Sequence, residues 1–214
     1  MSDWLHGVKV PPLRIRDIRA LATGIRLRSG LTRGEPFPVL FFLEWSMPQL
    51  VRHFDLEIVE SLPGRLEARA FPDGTPHWPQ GPVIELLQRV YEDAVSNFGR
   101  ARLTVLHECG HVLLHRHVAV HHRGPKGAEL PAWENSEWQA SQFAGELLMP
   151  IESFGAPGAL ASYVQTMGVS REAACNRAIQ LQRAGELKAP VSWPIEQYAT
   201  GFKNKRKGAA MMSP

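Results

Sequence analysis

Cysteine is nearly absent. Cys109 and Cys175 are two in 214 residues, too few for a disulfide framework, so a reducing, cytoplasmic setting is expected. No apolar run approaches the length of about 18 residues that a membrane-spanning helix needs. The opening stretch, MSDWLHGVKVPPLRIRD, lacks the apolar segment of a secretory signal, so neither leader nor membrane anchor is expected. Internal repeats are missing as well. Excess charge is also lacking over most of the chain. Of the 24 basic residues, Lys203, Lys205, Arg206 and Lys207 fall in the last dozen positions, where no acid occurs, and the other 20 are balanced by 21 acids. The net charge of +3 therefore belongs to the tail, which reads as a solvated end rather than a DNA arm. With 44% apolar and 8% aromatic residues, the chain can bury a core as one large domain or as one domain plus an appendage.

What the chain does have is the stretch LTVLHECGHVLLHR, residues 103–116. His107 and His111 are four apart, which puts both imidazoles on one face of a helix, one turn apart. Two ring nitrogens so placed can hold one Zn²⁺, with Glu108 beside the metal to act on a water. Leu103, Val105, Leu106, Val112, Leu113 and Leu114 make the segment largely buried, and burying two histidines and a glutamate uncompensated is unfavourable. A metal supplies the compensation. Gly110, a poor helix former, fits a close approach by another backbone or the metal shell. Cys109 points about 100° away from Glu108 around the helix and reads as a packing residue.

A third ligand should come from a second helix, and residues 134–149, ENSEWQASQFAGELLM, supply one. Asn135 or Ser136 can cap it, Pro150 stops it, and Trp138, Phe143, Leu147 and Leu148 form its apolar face. Glu137, in the first turn, is the favoured ligand. Glu134 and Glu146 are the rivals, with Glu134 at or before the helix start and Glu146 better suited to the surface.

The pair TVLHECGHVLLH and EWQASQFAGELLMP resembles the ImmA/IrrE metallopeptidases over roughly residues 83–185. The resemblance implies His107, His111 and Glu137 as ligands, Glu108 as the catalytic carboxylate, and a minimal zincin-like α+β fold. It also implies a protein substrate, a helix-turn-helix repressor whose removal controls phage, mobile-element or stress genes. Two positions depart from the family pattern. Cys109 stands where an aliphatic residue is usual, and Gln139-Ala140-Ser141 stands where Glu-Ala-Asn is common. Ser141 is expected to weaken an outer hydrogen bond that Asn would make.

Around this core the chain divides into an N-terminal helical segment (1–54), the metallopeptidase core (55–155), a C-terminal helical hairpin (156–190) and the basic tail (191–214). Residues 1–12 read as a loose lead. Residues 13–29 follow helical spacing, with Arg14, Arg16, Arg19, Arg26 and Arg28 as a solvated face, and two short helical segments follow through residue 54. Alternation in 56–62 and 66–71 about Pro63-Gly64 predicts a β-hairpin, with 83–87 as a third strand. Such a small antiparallel or mixed sheet against the HExxH helix offers an edge for an extended peptide. His115, His117, His121 and His122 read as a polar helix end and loop in preference to a second metal site. Leu160 to Met167, Gly168 and a helix capped by Ser170 through Leu187 have a helix-turn-helix outline with Arg171, Arg177 and Arg183, read here as a hairpin covering the core. His77, Tyr91, His121 and His122 are candidates to stabilise an oxyanion. A non-cleaving protein that sequesters a partner and a DNA-binding regulator are the alternatives to a zinc endopeptidase.

Overall fold

A computed structural model gives the fold and describes residues 7–32, 34–116, 130–155, 158–187, 192, 193 and 195. The first helical spacing forms α1 (Ile15–Arg28), which buries Ile18, Ala22 and Ile25. A continuous helical run follows, made of α2 (Val39–Phe41), a π-helical stretch (Phe42–Ser46) and α3 (Met47–Leu50). Phe42, Leu43 and Met47 are fully buried, so this run belongs to the core.

Three strands come next: β1 (Asp55–Val59), β2 (Ala68–Phe71) and β3 (Val83–Leu87). The sheet is mixed, in the order β1-β3-β2, with β1 parallel and β2 antiparallel to β3. This corrects the expected hairpin, because β1 and β2 never pair. The reason is burial. Every residue of β3 is buried, which suits a middle strand covered on both faces, whereas β1 leaves Glu57 and Ile58 exposed. Pro63-Gly64 still turns the chain, but the segment between β1 and β2 is longer than a tight hairpin loop.

The second half is helical: α4 (Gln88–Val95), α5 (Gly99–Leu114), α6 (Ser136–Leu148), α7 (Leu160–Met167) and α8 (Arg171–Arg183). One face of α5 lies on the sheet and another on α6. Gly110 sits where a Cβ would come within 3.1 Å of both Ala140 Cα and Phe143 Cδ1, tighter than ordinary contact, so any side chain there would need α6 to give way by a few tenths of an ångström. Phe143, Leu147 and Leu148 join Val105 and Leu106 in a continuous core that reaches Ile18, Ile84, Met167 and Ala178. Cys109 and Cys175 are free and buried, and burial pushes both thiols up. No helix among the described residues is long and apolar enough to cross a membrane.

Several polar residues take roles other than those expected. The stretch from residue 7 to residue 13 is not loose: it runs along residues 133–136, with Val10 N donating to Glu134 O and Ser136 N to Val8 O. Residues 1–6 lie outside the described residues. The arginines of α1 divide. Arg14, Arg16 and Arg28 are exposed, but Arg26 is buried and donates to the Leu147 and Glu35 carbonyls at 2.6 Å each. Glu146, expected at the surface, is 2% exposed. It pairs with Arg19 at 3.0 Å and Arg177 at 2.6 Å, while Arg19 also meets Glu186 at 2.7 Å. Two cations from distant elements converge on this carboxylate, and their charge explains its burial.

The terminal hairpin forms as expected, although α8 ends at Arg183 rather than Leu187. Gly168 takes φ 60° in the turn, and the Ser170 side chain accepts from Ala173 N at 3.0 Å. Arg177 is 4% exposed and bound to Glu146, so it is not available to a DNA face. Replacing Glu146 with Gln leaves Arg177 buried opposite a neutral amide. The variant should lose about 3 kcal/mol of unfolding free energy in urea titration, and loss under 1 kcal/mol (roughly a surface pair) would mean the network contributes little.

Candidate metal centre

His107 and His111 lie a turn apart on α5, and Glu137 lies in the first turn of α6. The helix start is fixed locally. The Asn135 side chain accepts from Glu137 N at 2.9 Å and from Trp138 N at 3.1 Å, which sets the direction in which Glu137 leaves the backbone. The three side chains meet. His107 Nε2 stands 3.0 Å from His111 Nε2 and 3.1 Å from Glu137 Oε2, and His111 Nε2 stands 3.2 Å from Glu137 Oε1. Their side chains are 15% to 37% exposed, enough for solvent to reach the cluster.

Such a cluster of electron-pair donors repels itself unless a proton or a cation lies between them. Burial by itself raises the Glu137 carboxyl pKa, but hydrogen bonds with His107 and His111 outweigh it and hold the group well below the usual carboxylate range. Burial by itself lowers the His107 pKa, while its hydrogen bond to Glu137 and the Glu108 and Glu137 charges turn the net direction upward. The donor set also fits zinc. Nitrogen and oxygen ligands at about 2.0–2.1 Å from a tetrahedral ion are separated by about 3.3 Å, close to the spacings of 3.0–3.2 Å found here. Among the described residues, His107, His111 and Glu137 form the group able to hold a metal ion.

Glu108 follows His107 on α5, close enough to interact with the His107, His111 and Glu137 charges, and is 8% exposed. Burial raises its carboxyl pKa, opposed by His111 and His107 and by a backbone hydrogen bond with Ala70. Ala70 lies on β2, an outer strand of the sheet. The carboxylate is thus held between the metal face and a strand edge.

The rivals for the third ligand are engaged elsewhere. Glu134 pairs with Lys9 at 3.1 Å, and Glu146 lies in the buried arginine network. Of the oxyanion candidates, Tyr91 donates to Glu44 Oε1 at 2.6 Å, which raises its phenol pKa. His77 is exposed, and His121 and His122 lie outside the described residues, as does His117.

His115 caps the end of α5, the helix end expected of it, but it is buried rather than part of a polar surface. It is 4% exposed, with Nδ1 3.0 Å from His111 Nδ1 and Nε2 3.1 Å from Gln139 Oε1. Burial, then the neighbouring His111, pushes its pKa down to about 4, so it is neutral near pH 7. Its place was legible in one respect: His107, His111 and His115 repeat every four residues. Ser141, expected to be a weak outer partner, stands 3.3 Å from His107 Nδ1, at the long end for a hydrogen bond.

Comparison with known proteins agrees with this geometry. No curated protein matches the chain significantly. Residues 88–178, from the start of α4 to within α8, match the family model of the M78 peptidases, described as the IrrE N-terminal-like domain. The matched segment contains His107, Glu108, His111 and Glu137, and leaves out the sheet and the strap formed by residues 7–13. Over residues 88–178 the chain is therefore similar to the M78 metallopeptidases, the family that the ImmA/IrrE resemblance names.

Proposed function

We propose that the chain is a zinc-dependent endopeptidase in which His107, His111 and Glu137 hold the metal and Glu108 carries the proton. The observation behind this reading is the convergence of two imidazoles and one carboxylate within 3.0–3.2 Å, beside a buried second carboxylate. When bound, zinc supplies Lewis acidity, which makes a water easier to deprotonate and a carbonyl easier to attack.

The protein's own groups do the rest. Glu108 accepts the proton of the attacking water on a carboxylate oxygen and passes it to the leaving amine nitrogen. Its raised pKa suits a group that must take up and release a proton, and burial among apolar residues keeps bulk water from competing. β2 offers main-chain groups along an outer edge next to Glu108, so a substrate in extended conformation can add to the sheet and bring its scissile bond to the centre. A folded domain cannot enter in that form. The substrate is therefore a strand or linker segment of a protein, and the resemblance to ImmA/IrrE enzymes points to a helix-turn-helix repressor in a cytoplasmic setting.

Two variants separate metal binding from chemistry. Glu108→Gln should keep one zinc per chain and lose cleavage by about 10²–10⁴-fold, read as new N-termini in a denatured proteome by mass spectrometry. Equal cleavage by this variant and wild type would remove Glu108 from the mechanism. Glu137→Ala should bind zinc more than about 100-fold more weakly in chelator competition, a larger effect than losing an outer partner. Unchanged affinity would remove Glu137 from the ligand set.

A further inference from the structure

Gln139 is fully buried in α6, and its partners fix which way its amide faces. Nε2 stands 2.8 Å from the Pro11 carbonyl and 2.8 Å from the Trp133 carbonyl. Carbonyls only accept, so the NH₂ end faces them and Oε1 faces the opposite way. A glutamate could not do this, since it has no hydrogens to give two carbonyls. Here the departure from the family pattern at this position has a physical use.

Oε1 meets His115 Nε2 at 3.1 Å, and an amide oxygen also only accepts, so His115 Nε2 carries a hydrogen. His115 is 4% exposed and has a glutamine, not a carboxylate, on that side. His115 Nδ1 lies 3.0 Å from His111 Nδ1. An imidazole that gives its Nε2 lone pair to a metal keeps its hydrogen on Nδ1, so His111 is the donor of this pair and His115 Nδ1 the acceptor.

We propose that His115 is a positioning residue: oriented by Gln139, it accepts the Nδ1–H of His111 and holds the His111 Nε2 lone pair on the metal face. This rests on the reading of His111 as a ligand. It also places the origin of the alignment outside the metal helices, in the carbonyl of Pro11 on the N-terminal strap. Outer partners of this kind shift metal affinity by about 10–100-fold.

The test is nitrogen-15 NMR of the imidazoles in zinc-loaded full-length protein, with zinc affinity measured by chelator competition. A through-hydrogen-bond coupling between Nδ1 of His111 and Nδ1 of His115, with the proton on His111, is expected. A proton on His115 Nδ1, or no coupling, overturns the proposal without any variant. His115→Asn keeps an acceptor where Nδ1 stood and should bind zinc close to wild type. His115→Gln keeps a group where Nε2 stood and should bind about 10–100-fold more weakly. The reverse order means that His115 only ties α5 to α6, and overturns the proposal. If wild type takes up no zinc, the ligand reading fails instead, and the same coupling in metal-free protein still decides whether His115 accepts from His111.

Discussion

The close approach of α5 and α6 at Gly110 is the constraint on which the site depends. His107 and His111 are placed by one helix and Glu137 by the other, so the spacing of the cluster is the spacing of the two helices. A side chain at residue 110 would press on the Ala140 backbone and the Phe143 ring, both on the helix that carries Glu137. Glycine lowers helix propensity by about 1 kcal/mol. The apolar contacts that its absence of a side chain permits, among Val105, Leu106, Phe143 and Leu147, offset that loss.

Around this joint, buried polar groups are placed so that each has a specific partner. Glu146 neutralises Arg19 and Arg177, tying α1, α6 and α8 together. Arg26 satisfies the Leu147 carbonyl near the end of α6, and Asn135 satisfies the amides at its start. Both ends of the helix carrying Glu137 are therefore held by side chains. The strap at residues 7–13 adds a second restraint at the start, through Glu134, Ser136 and Gln139. The face carrying His107, His111 and Glu137 is thus supported from several sides, which is what a metal site needs when ligands must converge to a few tenths of an ångström.

How much of this was legible in the sequence follows from how local each signal is. The four-residue step from His107 to His111 fixes their shared face wherever a helix forms, and Asn135 with Pro150 marks the second helix in the same way. Gly110 could be read as a site of close approach before the partner helix was known. The strand order could not be read so. Pro63-Gly64 is a local turn signal, while the insertion of β3 between β1 and β2 follows from which strand buries both faces. Glu146 and Arg26 looked like surface charges because one partner of each, Arg19 and the Leu147 carbonyl, lies more than a hundred residues away along the chain. The burial of His115 was hidden for a related reason: the Gln139 amide that it meets lies on another helix and is itself tied to Pro11 near the N-terminus.

In the proposed enzyme, two imidazoles and one carboxylate, brought together by α5 and α6, form the inner coordination shell of a zinc ion. X-ray absorption at the zinc edge of the reconstituted protein tests it most directly. A shell of nitrogen and oxygen at about 2.0–2.1 Å is expected, with outer scattering from two imidazoles and none from sulfur. A sulfur neighbour at about 2.3 Å would bring in a cysteine and contradict the buried, protonated state of Cys109. A third imidazole would make His115 a ligand and leave His111 without its acceptor.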